Sequence, residues 1–138
     1  MFWNVISVVI GLLTGSMVNM ALILVSGTIW PMPAGLDPDL PGAFAEYVAS
    51  LPTAAMGFIM FAHLAQAGVG GGVAAGLGRS HRVWLAAAVG LFTVIGSVVN
   101  LMVLPAPAWM WSEVVLVPLV AVAGGRVATQ LFPMEDPT

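Results

Sequence analysis

Charged side chains are missing from three long stretches of this chain, and their absence constrains the fold more than any motif does. The uncharged stretches are residues 1–36, 51–78 and 83–112. A fourth apolar stretch, residues 114–125, extends further if Arg126 reaches toward a lipid headgroup. Because a helix needs about 20 residues to cross a hydrocarbon core of about 30 Å, this pattern predicts four transmembrane helices.

The predicted fold is all-α: a polytopic membrane protein whose single membrane domain, residues 1–138, forms a four-transmembrane-helix bundle. The predicted spans are residues 2–30, 52–77, 82–104 and 112–132. The outer loop 31–51 is expected to contain a short interfacial helix. Ser50 and Ser112 are expected to cap the second and fourth spans. The first span has no cationic segment before it, so we interpret it as a retained helix and not as a signal peptide.

Composition excludes several classes of protein. Only 7% of the residues are charged, whereas a soluble domain carries about a quarter. The net charge is −3 and no basic cluster occurs, so no nucleic-acid partner is expected. Cysteine is absent, which excludes disulfides, iron–sulfur clusters and cysteine zinc sites.

The distribution of charge predicts the topology. Arg79, Arg82 and Arg126 fall at ends that an even number of spans places on one face of the membrane, and the positive-inside rule makes that face cytoplasmic. Both termini are then cytoplasmic. The acidic residues expected on the opposite side are Asp37, Asp39, Glu46 and Glu113.

A two-helix unit occurs twice along the chain. The segment from Gly15 to Asn19 matches the segment from Gly96 to Asn100, and a Pro-x-Pro turn follows each of them, at residues 31–33 and 105–107. The pattern predicts two tandem repeats related by a pseudo-twofold axis along the membrane normal.

Small residues four apart predict close helix packing. The strongest pattern is Gly68-x-x-x-Gly72-x-x-x-Gly76 in the second span; Gly11 with Gly15, and Ala121 with Gly125, form weaker ones. Such rows let helix backbones approach each other closely in lipid. The partner of each row is either another span of this chain or a different subunit.

Four polar side chains lie inside the predicted spans: Asn19, His63, Gln66 and Asn100. His63 is eleven positions after Pro52, which places it about 16 Å along its helix and near mid-membrane. One hypothesis is hydrogen bonding between helices, with Asn19 or Asn100 as the partner of His63. The alternatives are an axial ligand for haem or a chlorophyll-type pigment, a proton relay, or contact with a substrate.

No enzyme is predicted. The predicted spans contain no interior Asp or Glu, and no serine–histidine–acid set, two-histidine metal spacing or phosphate-binding loop is evident. We therefore expect no catalytic residue, metal site or cofactor. The missing carboxylate also argues against a proton-coupled exporter of the small multidrug resistance type. Arg126 is expected to contact lipid or a bound anion.

One segment of the chain resembles a segment of other membrane proteins. The stretch 29–38, followed by Ala45-Glu46-Tyr47 and Leu51-Pro52, resembles a segment of an uncharacterised family of small bacterial four-span integral membrane proteins. Residues 100–102 and the Pro105-x-Pro107-x-Trp109 motif fit the same pattern. The resemblance implies a bacterial inner membrane protein and assigns no catalytic or binding residue.

The sequence is compatible with three functions. The first hypothesis is a structural protein or accessory subunit, with the lipid bilayer, other membrane subunits or further copies of the chain as its partners. The second is a transporter or channel for a small neutral solute or lipid, lined by the four polar side chains. The third is a pigment- or haem-binding subunit that uses His63 as its ligand.

Overall fold

The structure, a computed structural model, describes residues 2–133 and is all-α, as predicted. Its helices are α1 (Phe2–Ile29), α2 (Ala43–Ser50), α3 (Thr53–Leu77), α4 (Arg82–Val103) and α5 (Glu113–Leu131), and a 3₁₀ helix (Ala108–Ser112) leads directly into α5. Four helices are long and apolar enough to cross a membrane, the fourth being the 3₁₀ helix continued by α5. The chain is therefore a four-helix membrane protein.

Helix α3 is the centre of the bundle. It packs against α1, α4 and α5, and α4 also packs against α5, whereas α1 and α4 contact each other only sparsely. Small side chains make these contacts close. Seven alanines are fully buried: Ala55, Ala62, Ala67, Ala74, Ala75, Ala86 and Ala121. Because lipid supplies no hydrophobic drive between helices, this close packing is what holds the bundle together.

One end of the bundle is fixed by polar contacts. Asn4 donates a hydrogen bond to the Ser80 hydroxyl at 2.8 Å and accepts one from the Arg79 amide at 3.2 Å, which ties the start of α1 to the turn between α3 and α4. The Arg79 guanidinium lies 4.9 Å from the ring centre of Trp3. The start of α1 and the arginines of this turn thus share one end of the bundle.

The other end is closed by apolar side chains. Val48 from α2 packs with Met56, Leu101 and Met110 in one buried cluster. The Tyr47 hydroxyl donates a 2.7 Å hydrogen bond to the Trp30 carbonyl, which fastens α2 over the end of α1. Helix α2 therefore covers the end of the bundle opposite the Arg79 turn.

Of the two predicted serine caps, Ser50 is wrong, and Ser112 lies at the N-cap position of α5 without making a capping bond. Ser50 is the last residue of α2, where its hydroxyl donates to the Tyr47 carbonyl, and Pro52 occupies the cap position of α3. Ser112 does precede α5, but it makes no capping bond with its side chain. The reason is that the 3₁₀ helix gives Ser112 helical dihedrals, whereas a capping side chain needs extended backbone.

Candidate functional site

Glu113 corrects the prediction that the spans lack an interior acid and that this residue lies on the outer face. Its side chain is 0% exposed, and its Oε2 lies 2.8 Å from Nδ1 of His63. The sequence pattern predicted that the fourth span begins next to this charged residue. However, the 3₁₀ helix before it continues the chain into the bundle, so the first residue of α5 meets the middle of α3.

His63 thus bonds to Glu113, and neither Asn19 nor Asn100 bonds to it among the described residues. The pair joins α3 to α5 across fifty positions of sequence. Since Nδ1 is engaged, Nε2 is the ring nitrogen left for other partners. The His63 side chain is 12% exposed whereas Glu113 is 0% exposed, so the ring lies on the accessible side of the carboxylate.

A polar cleft of about 440 Å³ opens beside His63, between α1, α3 and α4. Its lining residues are Ser16, Asn19, His63, Gln66, Phe92, Thr93, Gly96, Ser97, Val99 and Asn100. The structure thus brings the four predicted intramembrane polar residues to one site. Ser16, Gly96 and Asn100 are exposed, and α1 contacts α4 only sparsely, so the cleft is open on its lipid-facing side.

Two mainly apolar cavities adjoin the polar cleft, one toward each end of the bundle. The cavity at the α2 end, of about 320 Å³, shares Asn19, His63 and Asn100 with the cleft and extends under α2. The cavity at the arginine end, of about 380 Å³, shares Phe92 with it and extends to Asn4. The three cavities form a row along the seam between α1 and α4, and the row's polar middle lies beside His63.

Three buried oxygen atoms around His63 lack a hydrogen-bond partner within residues 2–133. They are Oδ1 of Asn19, Oγ1 of Thr93 and Oε1 of Glu113. Asn19 and Thr93 line the cleft, while Glu113 lies behind His63. A buried polar atom without a partner destabilises a fold by about 1–3 kcal/mol, so these oxygens favour an occupant that donates hydrogen bonds.

The predicted packing glycines divide into two groups. Gly11, Gly15, Gly68 and Gly125 face other helices of this chain: a Cβ on Gly11 would lie 2.5 Å from the Gly70 carbonyl, and one on Gly15 would lie 2.5 Å from that of Gln66. A Cβ on Gly72 would only reach Gly124 at 3.4 Å, and one on Gly76 would meet nothing within 4 Å. The long glycine row therefore packs tightly at its start only.

Gly72 and Gly76 line an apolar groove of about 620 Å³ between α3 and α5. The groove continues past Leu77 and Phe132 at the end of the bundle that contains the Arg79 turn. The sequence pattern missed Gly124 and Gly90, which pack against Gly68 and Pro118 respectively. Both do fall at the four-residue spacing, as Ala86-x-x-x-Gly90 and Gly124-x-x-x-Ala128, so this spacing was the signal that could have found them.

Arg82 has a role that the sequence did not predict. Its guanidinium is buried and donates to the carbonyls of Ala75 at 2.5 Å, Phe132 at 2.6 Å and Gly76 at 3.4 Å. These carbonyls belong to the C-terminal ends of α3 and α5, where a cation is favourable. Arg126 is exposed on α5, and its expected lipid or anion contact stays a prediction.

No group of three metal-binding side chains occurs within residues 2–133. A bis-histidine haem would need a second histidine beside His63, and His81 lies at the N-cap of α4, at the arginine end of the bundle. The pigment hypothesis thus rests on Nε2 of His63 alone. An absorption spectrum of the purified protein separates it from the other hypotheses.

Comparison with protein-family models, curated proteins and solved structures finds no match for this chain. The geometry of the cleft is therefore the basis for a proposed function.

Proposed function

We propose that this protein is a non-enzymatic transporter that passes a small polar solute or a lipid headgroup along the cleft between α1 and α4. The observation that carries the proposal is the row of three adjoining cavities, whose middle is polar and whose ends approach both ends of the bundle. Ionisable side chains inside a membrane are rare and mark substrate and ion pathways, which makes His63 and Glu113 functional-site candidates.

The geometry of His63 supports a transporter over an enzyme. A serine- or threonine-type hydrolytic site needs a hydroxyl nucleophile bonded to the imidazole, which a third group orients. Glu113 orients His63, but no hydrogen bond joins His63 to a serine or threonine in residues 2–133. Ser16, Thr93 and Ser97 line the cleft and would serve as hydrogen-bonding groups for a passing solute.

The experiment measures solute flux into proteoliposomes for the wild type and two matched variants. A Cβ on Gly96 would meet nothing within 4 Å, and Gly96 lines the cleft, so Gly96→Leu adds bulk to the cleft without a clash at its first carbon. Gly27 also has open space around its Cβ and lines none of the three cavities, so Gly27→Leu is the control.

We expect Gly96→Leu to lower the flux of small polar solutes and of a fluorescent lipid at least severalfold, with Gly27→Leu matching the wild type. Solutes to test include urea, glycerol and guanidinium. Wild-type flux equal to that of protein-free liposomes for every solute and lipid would contradict the proposal. Equal flux through the two leucine variants would contradict the assigned path.

The second candidate function is a structural one, self-association or service as an accessory subunit. The apolar groove between α3 and α5 favours it, because backbone at Gly72 and Gly76 is left open to close approach. A helix of a second copy is the proposed occupant. Gly76→Leu fills the groove and should lower the oligomer fraction in cross-linking, while Gly27→Leu should not.

The same proposal places the protein in a bacterial inner membrane with both termini in the cytoplasm. The arginines at one end of the bundle support this orientation through the positive-inside rule. A tandem origin of the two halves belongs to the proposal too. It is supported by Asn19 and Asn100, which occupy matching positions of the two halves and line the same cleft.

A further inference from the structure

We propose that the polar cleft binds a compact cation with N–H donors, and that the His63–Glu113 pair releases one proton as the cation enters. This inference rests on the proposed transport function and names its substrate class. The sequence-based transporter hypothesis named a neutral solute or lipid, and the absence of a carboxylate from the spans argued against proton coupling. Glu113 removes that reason, since it is buried in the bundle directly behind the cleft.

The unpartnered atoms around His63 define what the occupant must offer. Two of them line the cleft, the amide oxygen of Asn19 and the hydroxyl of Thr93, while the carboxyl oxygen of Glu113 lies behind the ring. An amide carbonyl accepts hydrogen bonds only, and a hydroxyl or carboxyl oxygen can also accept. An occupant rich in N–H groups therefore satisfies this site better than one rich in acceptors.

The charge balance requires that a proton leave. On the elements packed around the pair, α1 and the 3₁₀ helix carry no titratable side chain, and α3 carries only His63. Arg82 of α4 is held by carbonyls at the arginine end, and Arg126 lies thirteen positions beyond Glu113, about 20 Å along α5. On α2, Glu46 is exposed and the Tyr47 hydroxyl bonds to Trp30.

Within residues 2–133, no other charge therefore neutralises Glu113, and a net charge surrounded by hydrocarbon is strongly unfavourable. Without a cation in the cleft, the site is neutral when the pair holds two protons. One lies between Nδ1 of His63 and Oε2 of Glu113, and the second is an additional proton. A cation that entered this neutral site would leave it with a net positive charge. Loss of one proton restores neutrality, so cation entry and proton release balance.

The departing proton is the one on Nε2 of His63. Before release, Nε2–H is a donor, whether the shared proton lies on Nδ1 or on Oε2. After release, the shared proton resides on Nδ1 and is donated to the Glu113 carboxylate, and Nε2 carries a lone pair. Nε2 then accepts an N–H of the bound cation, so the same step changes the charge and the hydrogen-bonding role of the ring.

The cation can come from two sources. A free cation would enter from water, and the cationic headgroup of an amphiphile would enter sideways through the open face between α1 and α4. The shared feature is a delocalised or ammonium cation with N–H donors. Guanidinium serves as the free probe, dodecylguanidinium as the amphiphilic probe, and urea as the uncharged control of similar shape.

The test measures proton release from wild-type protein in nanodiscs, in weak buffer with a pH indicator. We expect release that approaches one proton per chain with guanidinium, dodecylguanidinium or both, and none with urea. Nitrogen NMR of labelled histidine should report the loss of the Nε2 proton in the same sample. Response to only one of the two cations identifies the source of the substrate.

Two variants complete the test, with folding checked by circular dichroism and size-exclusion chromatography. Glu113→Gln keeps the shape of the side chain and should abolish proton release, whereas Glu46→Gln makes the same change at an exposed carboxylate that lines none of the three cavities and should retain it. The absence of release from the wild type with both cations overturns the inference, as does equal release with urea. Because the flux assay is separate, persistent flux that Gly96→Leu blocks would leave the transport proposal standing after such a failure.

Discussion

His63 and Glu113 are fifty positions apart in the sequence, yet Nδ1 of one lies 2.8 Å from Oε2 of the other inside the bundle. The bond joins the middle of α3 to the first residue of α5. It also orients the imidazole, because it fixes which ring nitrogen is engaged. The proposed exchange of a proton for a cation depends on this one contact.

The pair should be energetically coupled. His63→Leu and Glu113→Leu each leave a buried polar partner behind, so each should lower the free energy of unfolding by about 1–3 kcal/mol. The double variant should cost less than the sum of the two by about 0.5–3 kcal/mol. Denaturant unfolding in micelles measures all four proteins. A second double-mutant cycle, of His63→Leu with Asn100→Leu, is the control and should show little coupling. Strict additivity of His63→Leu and Glu113→Leu would contradict the contact.

The two groups of glycines should respond differently to a methyl group. A Cβ on Gly71 would lie 2.5 Å from the Ala121 carbonyl, so Gly71→Ala must separate α3 from α5 and should destabilise the fold by about 1–3 kcal/mol. Gly76→Ala meets nothing within 4 Å and gains helix propensity, so its thermal midpoint should equal or exceed that of the wild type. Equal losses in the two variants would show that the α3–α5 contact is not close.

Arg82 should stabilise the arginine end of the bundle. Arg82→Ala removes charge-assisted hydrogen bonds to the ends of α3 and α5, so we expect a loss of about 2–3 kcal/mol in the free energy of unfolding. Arg82→Lys should recover only part of it, because an ammonium cannot reproduce the fork of the guanidinium. Arg79→Ala removes an exposed cation beside Trp3 and should cost under about 1 kcal/mol. A larger loss for Arg79→Ala than for Arg82→Ala would refute this assignment.

Fusion reporters should establish the orientation. A reporter active in the cytoplasm should function after Ser80 and at the C-terminus, and one active outside the cytoplasm should function after Asp39. The arginines near Ser80 are the physical reason, since positively charged short loops are retained on the cytoplasmic side. The opposite pattern of activities would overturn the proposed topology.

The all-α fold was predictable because it follows from local properties of the chain. Uncharged stretches long enough to cross a bilayer can be identified residue by residue, and helix α2 follows from a turn and an amphipathic pattern. Glu113 was not predictable in this way. Its burial depends on a 3₁₀ helix at Ala108–Ser112, and apolar residues with flanking prolines give no signal for how deep such a segment lies.

The candidate site was predictable in its members and not in its contacts. Asn19, His63, Gln66 and Asn100 are polar within apolar helices, which is a local property. Their convergence on one cleft depends on how three helices rotate and pack. The partner of His63 depends on the register between α3 and α5, which glycines such as Gly71 and Gly124 set through backbone contact.

The transport proposal depends most directly on water reaching the cleft, and the chain offers a clean test because it has no cysteine. Ser16 lines the cleft, while its neighbour Met17 is 73% exposed and lines none of the three cavities. A thiol must ionise to react with a water-soluble methanethiosulfonate reagent. We predict that Ser16→Cys reacts in liposomes, that Met17→Cys does not, and that Gly96→Leu suppresses the reaction at Ser16→Cys. Equal and slow labelling of both cysteines would show that the cleft is filled by lipid, and would contradict a polar path through it.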